Sequence, residues 1–254
     1  MSCVQFLTYQ KVSIRHNDGA AVWTMTGLAI RIAHGMGIDR DGELFKLRPL
    51  ETELRRRVWH QISLLDLRAS EARGTFPTHL SYDTKLPLNI NDGDLDPETK
   101  LYPEPRVGLT EMSASLVRLE FCEITRRLHK TSSMDDKEKM IKEFSQRLET
   151  TYIQYCMEGG PLERWCATFA RLIMKRMVLM LFKREKNLSP EIRERLFYTS
   201  IDIIDLANQL RKDKYARRWD WLIRTYVSIP LQYFTYLLPQ SIPRIPKSLY
   251  LSTM

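Results

Sequence analysis

The stretch AIRIAHGMGIDRDG, residues Ala29 to Gly42, decides how this chain folds. A run of small and branched apolar residues meets Gly35 and Gly37, then leaves on Asp39, Arg40 and Asp41. Glycine at the end of such a run marks a helix stop, because a helix exits most easily through left-handed backbone that glycine adopts without a steric penalty. Asp18 can cap the other end, which predicts a helix from Ala20 to about Met36. Trp23, Met25, Leu28, Ile30, Ile32 and Met36 fall on nearly every side of it, the pattern of a helix buried all round. Arg31 then stands out as a charge inside that helix, and a buried charge requires a partner.

Working outward, Pro49 suits the first turn of a second helix running to about Ala72, with Gly74 as its stop. Leu54, Val58, Ile62 and Leu65 make its expected core stripe, joined by Trp59 and Ala69. Glu51 and Glu53 precede Arg55 and Arg57 by four residues, the favourable order for pairs along a helix. Asp66 on this helix is the expected counterion of Arg31. A connection rich in proline, asparagine and aspartate follows, in which Pro77, Pro87, Pro97, Pro103 and Pro105 exclude a long helix. Beyond it, Thr110 can cap a helix through EMSASLVRLEFCEITRRLHK, and further helices are expected from Asp136 to Cys156, from Pro161 to Phe182 and from Ser189 to about Leu210. A last helix is expected from Tyr215 towards Leu238, kinked at Pro230. No strand-like alternation longer than a few residues occurs. The fold class is all-α, a single bundle-like array of roughly seven or eight helices with one long Pro/Asp-rich connection. Residues 1–238 are expected to form the domain and 239–254 an irregular tail.

The composition narrows the function. The chain has 254 residues, with 28% charged and 43% hydrophobic, an ordinary globular balance. The opening MSCVQFLTYQKVSIRH lacks the features of a secretory leader. The most apolar segment, RLIMKRMVLMLFK, is broken by Lys175 and Arg176, which excludes a membrane span of about 20 apolar residues. These features read as a soluble intracellular protein. Four cysteines, Cys3, Cys122, Cys156 and Cys166, have no metal-type spacing and read as reduced packing thiols. The net charge of +8 lies entirely in residues 128–254, because residues 1–127 carry 17 basic and 17 acidic side chains.

Three features invite a functional reading. The loop NDGDLD offers Asp92, Asp94 and Asp96 as oxygen ligands for a hard cation. As a calcium loop it puts Leu88 and Ile90 where carboxylates belong, and Pro87, Gly93 and Pro97 keep it off a helix. A small metal-dependent helical enzyme using this loop remains the alternative function. RRRVWH, Arg55 to His60, spreads its arginines across about 200° of helix, so it reads as ion-paired surface rather than one basic face. RKDKYARR gathers Arg211, Lys212, Lys214, Arg217 and Arg218 into a better basic cluster, suited to an import signal, a phosphate contact or a charged turn. Nucleophile elbows, zinc-protease motifs and phosphate loops are absent. Neither His34 nor His60 has a partner motif.

Taken together, AVWTMTGLAIRIAHGMGIDRDG, LRPLETELRRRVWHQISLLDLRASEARG and LPLNINDGDL resemble the regulatory, or middle homology, domain of fungal zinc-cluster transcription factors. LTEMSASLVRLEFCEITRRL, RLETTYIQYC and SIDIIDLANQL extend the likeness to roughly residues 4–238. The combination of G-x-A-I-R-x-A, E-x-E-x-R-R-R-x-W and L-P-x-N-x-x-D-x-D-L carries it. The resemblance implies a non-enzymatic, all-helical module of a nuclear regulator of metabolic or secondary-metabolite genes, responsive to a small-molecule effector or a partner. Partners it implies are a full-length family member or the transcription machinery, with no membrane. Family members carry a six-cysteine cluster binding two zinc ions. The cysteines here lack that spacing, so no cofactor is expected and direct DNA binding is not implied.

Overall fold

The computed structural model describes residues 19–156 except 76, 79 and 80, then 159–182, 188–213, 220, 222–224, 226 and 227. Among the described residues the regular structure is helical throughout, with no strand. The chain divides into two compact units, Met1–Lys130 and Thr131–Met254. The expected tail at 239–254, the Pro230 kink and the Asp18 cap lie outside the described residues.

The first unit contains α1 (Gly19–Gly35), α2 (Pro49–Arg73) and α3 (Ser113–Lys130), with short 3-10 turns at Gly42–Phe45 and Asp92–Asp94. The exit of α1 is built as its glycines predict. Gly37 takes φ +60°. Its N–H donates to the His34 carbonyl, and the Ile38 N–H donates to the Ala33 carbonyl. That pair of bonds closes the orphaned carbonyls of a helix end in a Schellman motif, and Ile38 and Ala33 join one apolar cluster. Gly74 ends α2 in the same way, at φ +67° with Thr75 N–H on the Ser70 carbonyl. Among non-glycine residues described, Lys46 at φ 55° has left-handed backbone, where it closes the first 3-10 turn.

The two helices exchange the roles the sequence suggests. Only one side of α1 is buried, by Val22, Thr26, Ala29, Ile30 and Ala33, while Trp23, Leu28, Ile32 and Met36 are exposed. The centre of the unit is α2, buried nearly all round from Trp59 to Ser70. Its inward residues include Thr52, Glu53, Arg56, His60, Ser63, Asp66 and Ser70, and Leu54 faces solvent. Trp59 packs with Ala29, Ile30, Ala33 and Ile62, and its ring meets His34 and Tyr82 edge-on, each with centroids 5.3 Å away.

Gly42 is fixed by the approach of α2. A Cβ there would lie 2.9 Å from Thr52 Cα and 2.5 Å from its hydroxyl. Gly42→Ala is therefore expected to destabilise by about 1–3 kcal/mol, as overpacking does, read from the urea midpoint.

The second unit holds α4 (Met134–Thr151), a 3-10 turn at Ile153–Cys156, α5 (Pro161–Leu181) and α6 (Pro190–Lys212). Ser133 caps α4 by accepting from the Asp136 N–H, and Ser189 caps α6 by accepting from Ile192. Proline opens both α5 and α6, where its missing N–H has no helical acceptor to lose. Leu172, Ile173 and Met177 of α5 and Leu196, Ile203 and Leu210 of α6 are buried. Trp165 stacks on Phe169, which meets Tyr226 edge-on at 5.4 Å. Arg176, also fully buried, lies 5.1 Å from the centroid of the Tyr226 ring.

Candidate functional site

The concentrated chemistry of the chain is a set of buried polar residues that fastens the connection after α2 to the helices of the first unit. Asp41 begins it. As N-cap of the first 3-10 turn it accepts from the Glu43 N–H. Its carboxylate also receives Arg56 through Nε and Nη2, each at 2.9 Å, and the Lys85 N–H at 2.9 Å. Arg56 is only 1% exposed and donates further to Glu43 at 2.6 Å. Lys85 Nζ closes the ring on the other Glu43 oxygen. Burial pushes the Asp41 carboxyl up, but the guanidinium and the two backbone donors outweigh it and hold the group down to about 2. Lys85 and Arg56 hold Glu43 below its usual range as well.

Each later part of the connection has its own anchor. Both oxygens of buried Glu53 accept from the Leu88 N–H, and one also accepts from Arg57, which reaches on to Asp92 at 2.6 Å. Burial raises the Glu53 carboxyl despite those donors. Asn89 uses its whole amide. It donates to the Arg106 and Gly108 carbonyls and accepts from the hydroxyls of Thr110 and Ser113. Asp94 takes the Arg106 guanidinium and the Asn91 N–H.

Asp66 anchors the start of the connection. It accepts from the Thr78 N–H and hydroxyl and from Arg126 of α3 at 2.7 Å. Arg126 also donates to the Ser63 and Thr78 carbonyls. Nearby, Glu123 of α3 accepts from the Tyr82 hydroxyl and lies 3.5 Å from His60 Nδ1, while His60 Nε2 is 3.0 Å from the Lys85 carbonyl.

This geometry corrects the pairing expected for Arg31 and Asp66. Arg31 is exposed on the open side of α1 and needs no buried partner. Asp66 points towards α3 and is occupied by Arg126 and Thr78. The error follows from taking α1 as buried on every side. Arg55 to Arg57 are ion-paired in part only. Arg57 pairs with Glu53, Arg56 is buried on Asp41, and Arg55 donates to the Met36 and Gly37 carbonyls at the end of α1.

In the basic cluster, Arg211 is 2.7 Å from Asp220, which also holds Arg224, and Lys212 is exposed. Lys214, Arg217 and Arg218 lie outside the described residues. The aspartates of the NDGDLD loop serve the fold. Asp92 meets Arg57, Asp94 meets Arg106, and Asp96 accepts from the Glu98 N–H. Among the described residues no group of three or more His, Cys, Asp or Glu is arranged to hold a metal ion, and no helix is long and apolar enough to cross a membrane.

Two described cysteines and one tyrosine are held towards their protonated forms. Burial pushes the Cys122 thiol up to about 11 and the Cys166 thiol up to about 12, and the Tyr82 hydroxyl also rises. Asp41, Glu53, Asp66 and Asn89 are matched to side chains and backbone groups, the chemistry of a latch.

The buried charges Asp41, Glu53, Arg56 and Asp66 of the first unit hold its own connection in place. The model of the fungal specific transcription factor domain matches residues 2–174, and the chain belongs to that family. It is 31% identical to the C6 finger domain transcription factor hasF of Aspergillus fumigatus, over 82% of this chain and 32% of that protein. The aurofusarin cluster transcription factor aurR2 of Gibberella zeae is 32% identical, over 79% of this chain and 33% of its own length. The pyriculol/pyriculariol biosynthesis cluster transcription factor 1 of Pyricularia oryzae is 32% identical, over 70% and 27%. The chain thus spans about a third of the length of these relatives. No solved structure matches.

Among the described residues the cysteines do not fit the six-cysteine zinc centre that the family resemblance implies. Cys122 and Cys156 are free and buried in different units, Cys166 is a free, half-buried thiol, and Cys3 lies outside the described residues.

Proposed function

We propose that this chain is the regulatory module of a fungal metabolic or secondary-metabolite gene-cluster regulator. It acts in the nucleus by binding a small-molecule effector or a protein partner, and neither catalyses a reaction nor contacts DNA itself. Residues 1–238 serve as this module. The observation that carries the reading is the likeness to three transcription factors over 82%, 79% and 70% of the chain, two of them named for clusters. The site supports it, because Asp41, Glu53, Asp66 and Asn89 are all committed to holding the connection closed. Partners of the matching class are a full-length family member or the transcription machinery.

The test is a fusion of the whole chain to an unrelated DNA-binding domain in a fungal reporter strain. Reporter transcription is expected to change several-fold relative to the DNA-binding domain alone, or to become responsive to a cluster metabolite. An unaltered reporter, with the fusion present at normal level, would refute the proposal.

A further inference from the structure

The open side of α1 carries an apolar ridge that nothing in the latch uses. Leu28, Ile32 and Met36 recur every four residues and so stand in one row on the helix. They are 46%, 49% and 57% exposed, unusual for three successive large apolar residues of one helix. Gly27 and Gly35 beside the row have no atom within 4 Å of where a Cβ would stand, so the flank of the ridge is open. Phe45, 52% exposed, extends it past the helix end, since Arg55 both donates to the Met36 carbonyl and lies over the Phe45 ring. Trp23, also exposed and with Arg73 5.1 Å from its ring centroid, stands about 180° round the helix from Ile32 and lies outside the row. From Leu28 to Met36 the row runs about 12 Å, roughly two helical turns.

Basic side chains flank the ridge. Arg31 stands beside it, three residues beyond Leu28, Arg55 reaches its Met36 end, and α1 contains no acidic residue between Gly19 and Gly35. Among the described residues neither arginine is ion-paired. We propose that this face is a docking surface for an acidic amphipathic helix, whose apolar side meets Leu28, Ile32 and Met36 and whose carboxylates meet Arg31 and Arg55. This gives the partner-binding reading above a location and rests on it. Helix-on-groove recognition uses the same row of apolar anchors, with charge setting register and orientation.

A fluorescein-labelled acidic amphipathic helical peptide, added to the full chain and followed by anisotropy, tests the proposal. Binding is expected to weaken about tenfold or more in Ile32→Glu, as for loss of a central anchor. It should weaken in Arg31→Glu and as salt shortens the screening length from about 10 Å at 0.1 M to about 3 Å at 1 M. Equal binding of the peptide with its glutamates changed to lysine would overturn the proposal, as would indifference to Ile32→Glu. Sedimentation as a dimer that Ile32→Glu disperses would assign the ridge to a second copy instead. A drop of several degrees in the Tm of Ile32→Glu would show the ridge to be covered within the chain. These readouts use no reporter, so loss of this surface leaves the regulatory reading to be judged by the fusion experiment.

Discussion

Arg56→Met is expected to lower the stability of the chain by about 3–5 kcal/mol, the range for removing one partner of a buried ion pair. The effect is large against a total of about 5–15 kcal/mol for ordinary domains. Its origin is Asp41, which is 3% exposed and would keep its charge with only the Lys85 and Glu43 N–H groups as donors. Loss of the guanidinium also frees Glu43 at one of its oxygens. The cost therefore comes from the carboxylate left behind more than from the contact removed. Adding Asp41→Asn to Arg56→Met should restore part of the loss, because the stranded charge is gone. Urea midpoints of the two single variants and the double variant measure this coupling directly.

The same lock sets an acid limit. The Asp41 carboxyl titrates at about 2 in the folded chain against an ordinary 3.8. A depressed folded value means that the unfolded chain takes up the proton first as pH falls. The contribution of Asp41 is thus complete above about pH 4, declines between about 4 and 2, and is lost below. In Arg56→Met that window should shrink, since the group that holds the carboxyl down is absent. Stability measured at several pH values across this range checks it.

Asp66→Ala is the second large effect, again about 3–5 kcal/mol. It leaves Arg126, whose side chain is 10% exposed, without its carboxylate, and the Thr78 N–H without its acceptor. Arg31→Ala should by contrast stay within about 0.5 kcal/mol, the usual bound for an exposed side chain away from special features. Comparable losses in the two variants would mean that Asp66 serves Arg31 after all.

What could be read in the sequence was local. Gly37, Gly74, Pro49, Pro161, Pro190 and Ser189 act on the residues beside them, so the helix ends they imply appear within a residue or two. Thr110, read as the cap of the next helix, accepts from the Met112 N–H through its hydroxyl and from the Ser113 N–H through its carbonyl, just ahead of α3. What could not be read was which face meets which neighbour. Counting apolar residues makes α1 the buried helix and gives α2 an ordinary stripe. The buried face of α2 is rich in polar groups whose partners lie 15 to 60 residues away, as with Arg56 to Asp41 and Asp66 to Arg126. No periodicity encodes those distances. The one legible trace was the middle arginine of three, Arg56, which cannot share a face with both neighbours.

Lys46 leaves a mark on how this sequence can drift. Its backbone sits at φ 55°, a region that asparagine and glycine visit readily and β-branched residues almost never do. Codon changes leading to those two residues should accumulate freely at this site, whereas valine or isoleucine should be purged even though the side chain faces water.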